Sequence, residues 1–317
     1  MGMRFGFYLP TRGACATAEA LDLLLQRGEA LGFHSVMIAD HIAFPVTITS
    51  RYPYTVSGAF PGHGDALEQL ALVSFAAART RRLRLVTSVM IVPYRNPVFT
   101  AKALATIDVL SGGRLTVGVG VGWLREEFEA LAAPDFKRRG VVTDEYLSIF
   151  KTLWTRSPAS FAGEFYRFDS LRCEPAPVQK PHPPLWIGGH SAAALRRVAR
   201  LGDGWHPVGA NPAVPLGPAE LRADLDELAR LTRAEGRDPA TLTISFKVPV
   251  YDSSLTPTSG KRRPFSGTTG QIVEDIVTYA GLGVSQLVVD FRSESLPESI
   301  ERMEHFAATV MPSVPAS

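Results

Sequence analysis

Residues 114–124 read RLTVGVGVGWL. Alternating apolar residues end in three glycines, Gly118, Gly120 and Gly122. A Rossmann domain places G-x-G-x-x-G between a strand and a helix, with an acidic residue roughly 20 positions further on. Counted from Gly118, the third glycine falls on Trp123; counted from Gly120, it falls on Arg125. Both registers fail. What remains is a strand, Leu115 to Val119, with a C-terminal end built from glycines. Such an end is either a tight strand exit or a backbone kept bare so that a flat ligand can lie against it.

The flanking sequence favours alternation of strands and helices. Just upstream, Pro97 to Leu110 has helical periodicity, with Pro at its start and Ser111-Gly112-Gly113 at its end. Seven further apolar runs read as strands: 4–9, 35–39, 83–88, 184–188, 204–207, 242–247 and 286–291. Most are continuously apolar, as strands covered on both faces are. Leu21, Leu24, Leu25, Gly28 and Leu31 share one helical face, and Gly32 supplies a stop. Residues 191–201, 217–235, 270–281 and 296–310 carry further helical patterns. Eight β/α alternations in one domain spanning 1–317 predict an α/β fold, a (β/α)8 TIM barrel. A doubly wound sheet is second, since its glycine fingerprint fails. Three long connections, 42–64, 156–183 and 249–266, are expected as insertions in the βα loops.

A barrel places its chemistry at the C-terminal ends of the strands. Strand two ends in Asp40-His41, strand three in Thr87-Ser88, and strand four in the glycines and Trp123. Strand five ends in Gly188-Gly189-His190-Ser191, which runs into the helix AAALRRVARL. A glycine turn at a helix N-terminus is an anion site or simply a cap supplied by Ser191. Strand six ends near His206, strand seven at Lys247, and strand eight at Asp290 and Arg292. His41 is the strongest acid–base candidate, with a structural Asp-His pair as the plain alternative. Glu126 and Glu127 lie nearby and are expected on the exposed face of a helix, with a role as acids the alternative.

Composition excludes several classes. The 317 residues are 45% hydrophobic and 20% charged, with a net charge of +2, which gives no electrostatic case for nucleic acid. The one basic cluster, Lys261-Arg262-Arg263, sits in a polar loop. No run approaches the ~20 apolar residues of a membrane span, and the N-terminus does not read as a signal peptide. Cys15 and Cys173 form no disulfide framework or metal pattern, so a cytoplasmic protein without a metal is expected. A homodimer is left open.

Four segments together resemble the luciferase-like monooxygenase superfamily, and most of all its F420-dependent oxidoreductase branch. They are VMIADHI (36–42), LVTSVMIVPYRNP (85–97), LSGGRLTVGVGVGWLREEFEAL (110–131) and PPLWIGGHSAAALRRVARLGDGWHP (183–207). The resemblance runs from Phe5 to about Asp290. It implies a TIM barrel that binds F420, or alternatively FMN, at the strand ends. It implies His41 as the catalytic residue beside the reactive ring, next to Asp40. Thr87, Ser88 and Val89 would form a bulge behind the ring, with a non-proline cis peptide at Ser88–Val89. Gly120, Gly122 and Trp123 would lie near the cofactor, and Gly189, His190 and Ser191 would hold its phosphate. The implied activity is hydride transfer between F420 and a small organic substrate. A reduced-FMN monooxygenase of the same fold is the alternative, and a flavin-binding protein without turnover a further one. Similar glucose-6-phosphate dehydrogenases carry Glu where this chain has Trp123, and Trp where it has Pro45, so a sugar phosphate is not implied.

Overall fold

Apolar runs of four to eight residues become buried strands here because helices cover the outside of the barrel and side chains fill its inside. The computed structural model describes residues 2–62, 65–251 and 262–315. Its strands are β1 (Arg4–Tyr8), β2 (Ser35–Ile38), β3 (Arg84–Ile91), β4 (Leu115–Gly120), β5 (Ala159–Ala162), β6 (Arg167–Leu171), β7 (Leu185–Gly188), β8 (Gly204–His206), β9 (Thr243–Val250) and β10 (Gln286–Asp290). Eight of them close in the order β1-β10-β9-β8-β7-β4-β3-β2, and every neighbouring pair is parallel. This is the expected TIM barrel. All eight expected strands are present, and β3 and β9 each run three residues further than their apolar runs suggested.

The helices are α1 (Ala18–Ala30), α2 (Gln69–Arg79), α3 (Pro97–Leu110), α4 (Arg125–Ala130), α5 (Arg139–Thr155), α6 (Ala192–Leu201), α7 (Pro218–Ala234), α8 (Thr269–Gly281) and α9 (Leu296–His305). The sequence reading did not single out α2 or α5. Strand side chains alternate between two layers. Phe7, Val36, Leu85, Val117 and Ile187 join the helices' apolar stripes in the main core. Tyr8, Met37, Val86, Trp186 and Val288 form a separate cluster that fills the barrel's interior. Caps fix where helices start: Asn96 accepts from the Val98 and Phe99 amides at 3.0 and 3.1 Å, with Pro97 at the first helical position.

The connection at 42–64 contains no helix or strand among its described residues. The stretch 156–183 was expected as a loop, yet it contains an antiparallel hairpin, β5 with β6. The two strands cover each other's backbone groups, which a bare loop of that length would leave to solvent. The insertion expected at 249–266 falls largely on 252–261, outside the described residues, as does Lys261 of the basic cluster. No helix among the described residues is long and apolar enough to cross a membrane.

Between β3 and β4 the ladder slips. Thr87 pairs with Val117 but Met90 pairs with Val119, so β3 carries one extra residue. The Ser88–Val89 peptide in that bulge is cis.

Candidate active site

The strand exits and the 42–64 insertion surround a cavity of about 340 Å3 at the C-terminal mouth of the barrel. Tyr8, His41, Ser88, Trp123, His206 and Lys247 line it, each from a different strand or strand exit.

His41 follows β2, and its Nδ1 lies 2.8 Å from Glu127 Oε2. The Glu127 side chain is fully buried and that of His41 is 13% exposed. The same carboxylate accepts from the Ile42 amide at 2.7 Å, the Ala43 amide at 3.1 Å and the Tyr94 hydroxyl at 2.8 Å. Burial works against a charged Glu127, but the His41 bond and those amides hold its pKa below the usual glutamate value. An ionised carboxylate can only accept, so His41 Nδ1 carries the proton it donates. In the neutral ring, Nε2 is then the lone-pair nitrogen. Phe44, Phe60 and Trp123 pack around the imidazole at centroid distances of 4.3, 5.5 and 6.2 Å.

These contacts overturn the expectation that Glu126 and Glu127 mark an exposed helix face. Both are in the first turn of α4, where the helix dipole favours acids, but they point to partners far away in sequence. Glu126 clasps the insertion, accepting from the Thr49 and Ser50 amides at 2.7 and 2.9 Å and from Ser50 Oγ at 2.6 Å. Partial burial opposes its charge, yet these donors hold its pKa down to about 2. Asp40 is likewise occupied. It accepts from the Ile91 amide at 2.8 Å and takes both arms of Arg95 at 2.8 and 2.7 Å. That arrangement fixes the β2 exit on which His41 stands.

A second polar chain crosses the cavity floor. His206 Nδ1 lies 2.9 Å from the Ser245 carbonyl, which can only accept, so Nδ1 carries the proton. Nε2 must then accept the Ser88 hydroxyl at 2.9 Å. Ser88 Oγ in turn accepts from the Tyr8 hydroxyl. One carbonyl thus sets the direction of the whole chain. Burial drives the pKa of His206 down to about 4, although the Ser245 bond opposes the shift. Burial likewise raises that of Tyr8. Lys247 Nζ sits 3.8 Å from the Tyr8 ring centroid, and burial lowers its pKa against the pull of Asp290.

At the glycines quoted at the outset, an added side chain would meet the protein itself. A Cβ on Gly118 would meet the Thr87 carbonyl; one on Gly120 would lie 2.6 Å from Val89 Cγ2. On Gly122, where φ is +86°, it would lie 2.6 Å from the Phe128 ring. The protein's own bulge and α4 fill the room these residues leave. Trp123, the next residue, does line the cavity.

At the β7 exit, Gly188 and Gly189 line the cavity, and Gly189 has φ +86°. Its carbonyl accepts from Trp205 Nε1 at 2.7 Å. Ser191 caps α6, accepting from the Ala194 amide at 3.2 Å. His190 Nδ1 is buried with no hydrogen-bond partner among the described residues. Of the residues sequence reasoning passed over, Tyr8 left a signal, a polar-tipped aromatic closing a strand, and Tyr94 left none; Glu127 was noticed but expected on an exposed helix face.

Fold and mouth together describe a (β/α)8 barrel with polar side chains gathered at its strand exits. Within that class the chain belongs to the luciferase-like monooxygenase family, whose model matches residues 3–254. Named members are F420- or FMN-dependent oxidoreductases, and this chain is an enzyme of that kind. It is 32% identical to an uncharacterised protein of Mycobacterium tuberculosis over 321 residues, 98% of this chain and 96% of that one. It is 27% identical to an F420-dependent glucose-6-phosphate dehydrogenase of Intrasporangium calvum, covering 90% and 92% of the two chains. An FMNH2-dependent dimethylsulfone monooxygenase of Pseudomonas putida is 32% identical over 177 residues, 55% of this chain and 47% of that one. The same fold recurs in the monooxygenase RslO1 from Streptomyces bottropensis, with TM-score 0.78, 24% identity and 98% and 99% coverage. It recurs also in an F420-dependent secondary alcohol dehydrogenase, with TM-score 0.77, 17% identity and full coverage of both chains.

Proposed function

We propose that this protein moves a hydride between F420 and a small organic substrate in the cavity beside His41. The observation that carries the reading is the His41–Glu127 pair. A buried carboxylate holds one imidazole nitrogen as N–H and leaves the other to take or give a proton. The likeness to the F420-dependent dehydrogenase, which spans 90% of this chain, favours the deazaflavin.

The residues present fit such a group. The 340 Å3 cavity is within the range of small-molecule sites, roughly 300–1,000 Å3. His190 Nδ1 is a buried polar atom without a partner among the described residues, at a turn that opens a helix N-terminus. Gly189, His190 and Ser191 would hold the phosphate there. Ser191 Oγ accepts at the cap, and its own O–H is still able to donate. Thr87, Ser88 and Val89 would back the ring, with Gly120, Gly122 and Asp40 supporting them from behind and Trp123 at its edge. When bound, the deazaflavin accepts or returns two electrons as a hydride.

His41 handles the accompanying proton. For an alcohol-type substrate, the O–H proton passes to Nε2 as the hydride leaves carbon, and Glu127 stabilises the imidazolium that forms. In reverse, Nε2–H returns the proton to a carbonyl oxygen. Phe44, Phe60 and Trp123 exclude water from that face of the ring.

The test is a fluorescence titration of the protein with F420 and with FMN, and F420 is expected to bind more tightly. Tight FMN binding with no response to F420 would move the assignment to a reduced-FMN monooxygenase. The 32% identity to the dimethylsulfone enzyme over 177 residues favours that second reading.

A further inference from the structure

A second cavity, of about 490 Å3, opens beside the first, and Tyr8 lines both. It lies between the β1 and β10 exits and the insertion. Arg12 and Arg292 line it, and Lys247 stands at the seam on the other side of Tyr8. The Arg12 guanidinium lies 4.7 Å from the Phe60 ring centroid and makes no ion pair among the described residues. Lys247 makes none either. Arg292 binds Asp290 through Nε at 2.8 Å and through Nη2, a pairing that leaves Nη1 unused.

Three half-buried cations therefore converge on one buried carboxylate, already held by the third of them. Their mutual repulsion is felt: burial and Arg292 depress the pKa of Arg12, and burial and both arginines depress that of Lys247. Two other carboxylates line the second cavity, Asp65 and Glu294. Both are exposed, and Asp65 accepts the Gly13 amide at 2.9 Å. Three cations around one buried carboxylate leave excess positive charge away from bulk water, which is costly without a further anion.

We propose that Arg12, Lys247 and Arg292 form a subsite for an anionic group on the substrate, a carboxylate, phosphate or sulfonate on a small, largely apolar body. The apolar body would meet Phe60, Tyr52 and Trp123, which pack on one another at 5.0–5.3 Å. The topology separates this subsite from the turn proposed to hold the cofactor's phosphate. β1, β10 and β9 are consecutive around the barrel, and β7 and β4 lie across the mouth from them. The proposal rests on the oxidoreductase reading for the word substrate, but the binding it asserts needs no turnover.

The test uses calorimetric titration with phenyl phosphate, benzoate and neutral benzyl alcohol, on wild type and on Arg12→Gln, Arg12→Lys and Lys247→Gln, each checked for wild-type circular dichroism. Wild type is expected to bind the two anions at least tenfold more tightly than benzyl alcohol. Arg12→Gln and Lys247→Gln should each lose roughly tenfold for the anions, the scale of a charge-assisted hydrogen bond. Neither should change for benzyl alcohol, and Arg12→Lys should keep part of the preference. Lys247→Gln alone decides the matter if Arg12→Gln does not fold. Anions bound no better than benzyl alcohol, or bound equally by wild type and variants, overturn the proposal. A matching loss of F420 or FMN affinity in the variants would assign the cluster to the cofactor and overturn it also. Failure of F420 to bind, with the anion preference intact, would change the cofactor reading and leave this one standing.

Discussion

His41 and His206 line the same cavity, and each is held through Nδ1, but by different kinds of partner. Nδ1 of His41 meets a carboxylate at 2.8 Å, and that of His206 meets a backbone carbonyl at 2.9 Å. A carboxylate can balance a positive ring. A carbonyl dipole in a dry site cannot, and His206 is driven to a pKa of about 4. On the proposed reading, one histidine is therefore the ring that changes charge during the reaction. The other is built never to change charge at physiological pH, which makes it a fixed strut for Ser88. The charge of the partner decides what each ring can do.

The largest expected effect is on turnover. His41→Ala should lower kcat by about 10²–10⁴-fold, the range for losing a positioned acid–base group, with cofactor affinity nearly unchanged. Steady-state kinetics beside a cofactor titration measures both, and wild-type turnover in the variant would reduce the pair to scaffolding. Next is Glu127→Gln, which keeps the shape but removes the counter-ion. It should lower kcat by roughly tenfold or more, because the protonated ring loses its stabilising charge. Wild-type kcat in this variant would mean that the carboxylate only orients the ring.

His206→Asn tests the other half by stability. The unfolded histidine takes up a proton as pH falls through about 6.5, whereas the folded one resists until about 4. Stability is therefore lost as pH drops between those values and is flat above them. At pH 5 the wild type should have lost about 2 kcal/mol relative to pH 7 from this group alone, at 1.36 kcal/mol per pKa unit. The variant's denaturant-derived curve should be flatter by that amount. The smallest effect is Gly120→Ala, whose new methyl meets Val89 on the bulge that carries Ser88. Overpacking there should cost about 1–3 kcal/mol, and Val89→Ala in the same chain should recover part of it.

The barrel was legible because its signal is local: apolar runs of strand length alternate with helical stripes, and each run became a strand. His41, His206, Lys247 and the Gly188–Ser191 turn were found by looking just past the runs. The errors share one cause. Glu127 lies 86 residues from its histidine, and nothing in REEFEA distinguishes a buried acid from a solvated one in a helix's first turn. The glycines were left as either a tight strand exit or room for a ligand, because Val89, Thr87 and Phe128, which a Cβ there would meet, belong to other elements. FAGEFYRF lies in a stretch read as loop because its pairing is with itself, at the edge of the molecule. Sequence periodicity reports the face a residue presents; it does not report which neighbour arrives there.

Adjacent in sequence, Glu126 and Glu127 clasp opposite ends of one peptide stretch. Glu127 binds Ile42 and Ala43, and Glu126 binds Thr49 and Ser50. The residues between those anchors, and those beyond them as far as Phe60, form the roof over the imidazole without belonging to either clasp. The roof is therefore an exchangeable part. Natural drift or deliberate grafting can rewrite Phe44, Tyr52 and Phe60 to admit a different molecule, while α4 keeps the histidine and both anchors in place. New specificities on this barrel can thus arise without rebuilding the His41–Glu127 pair beneath them.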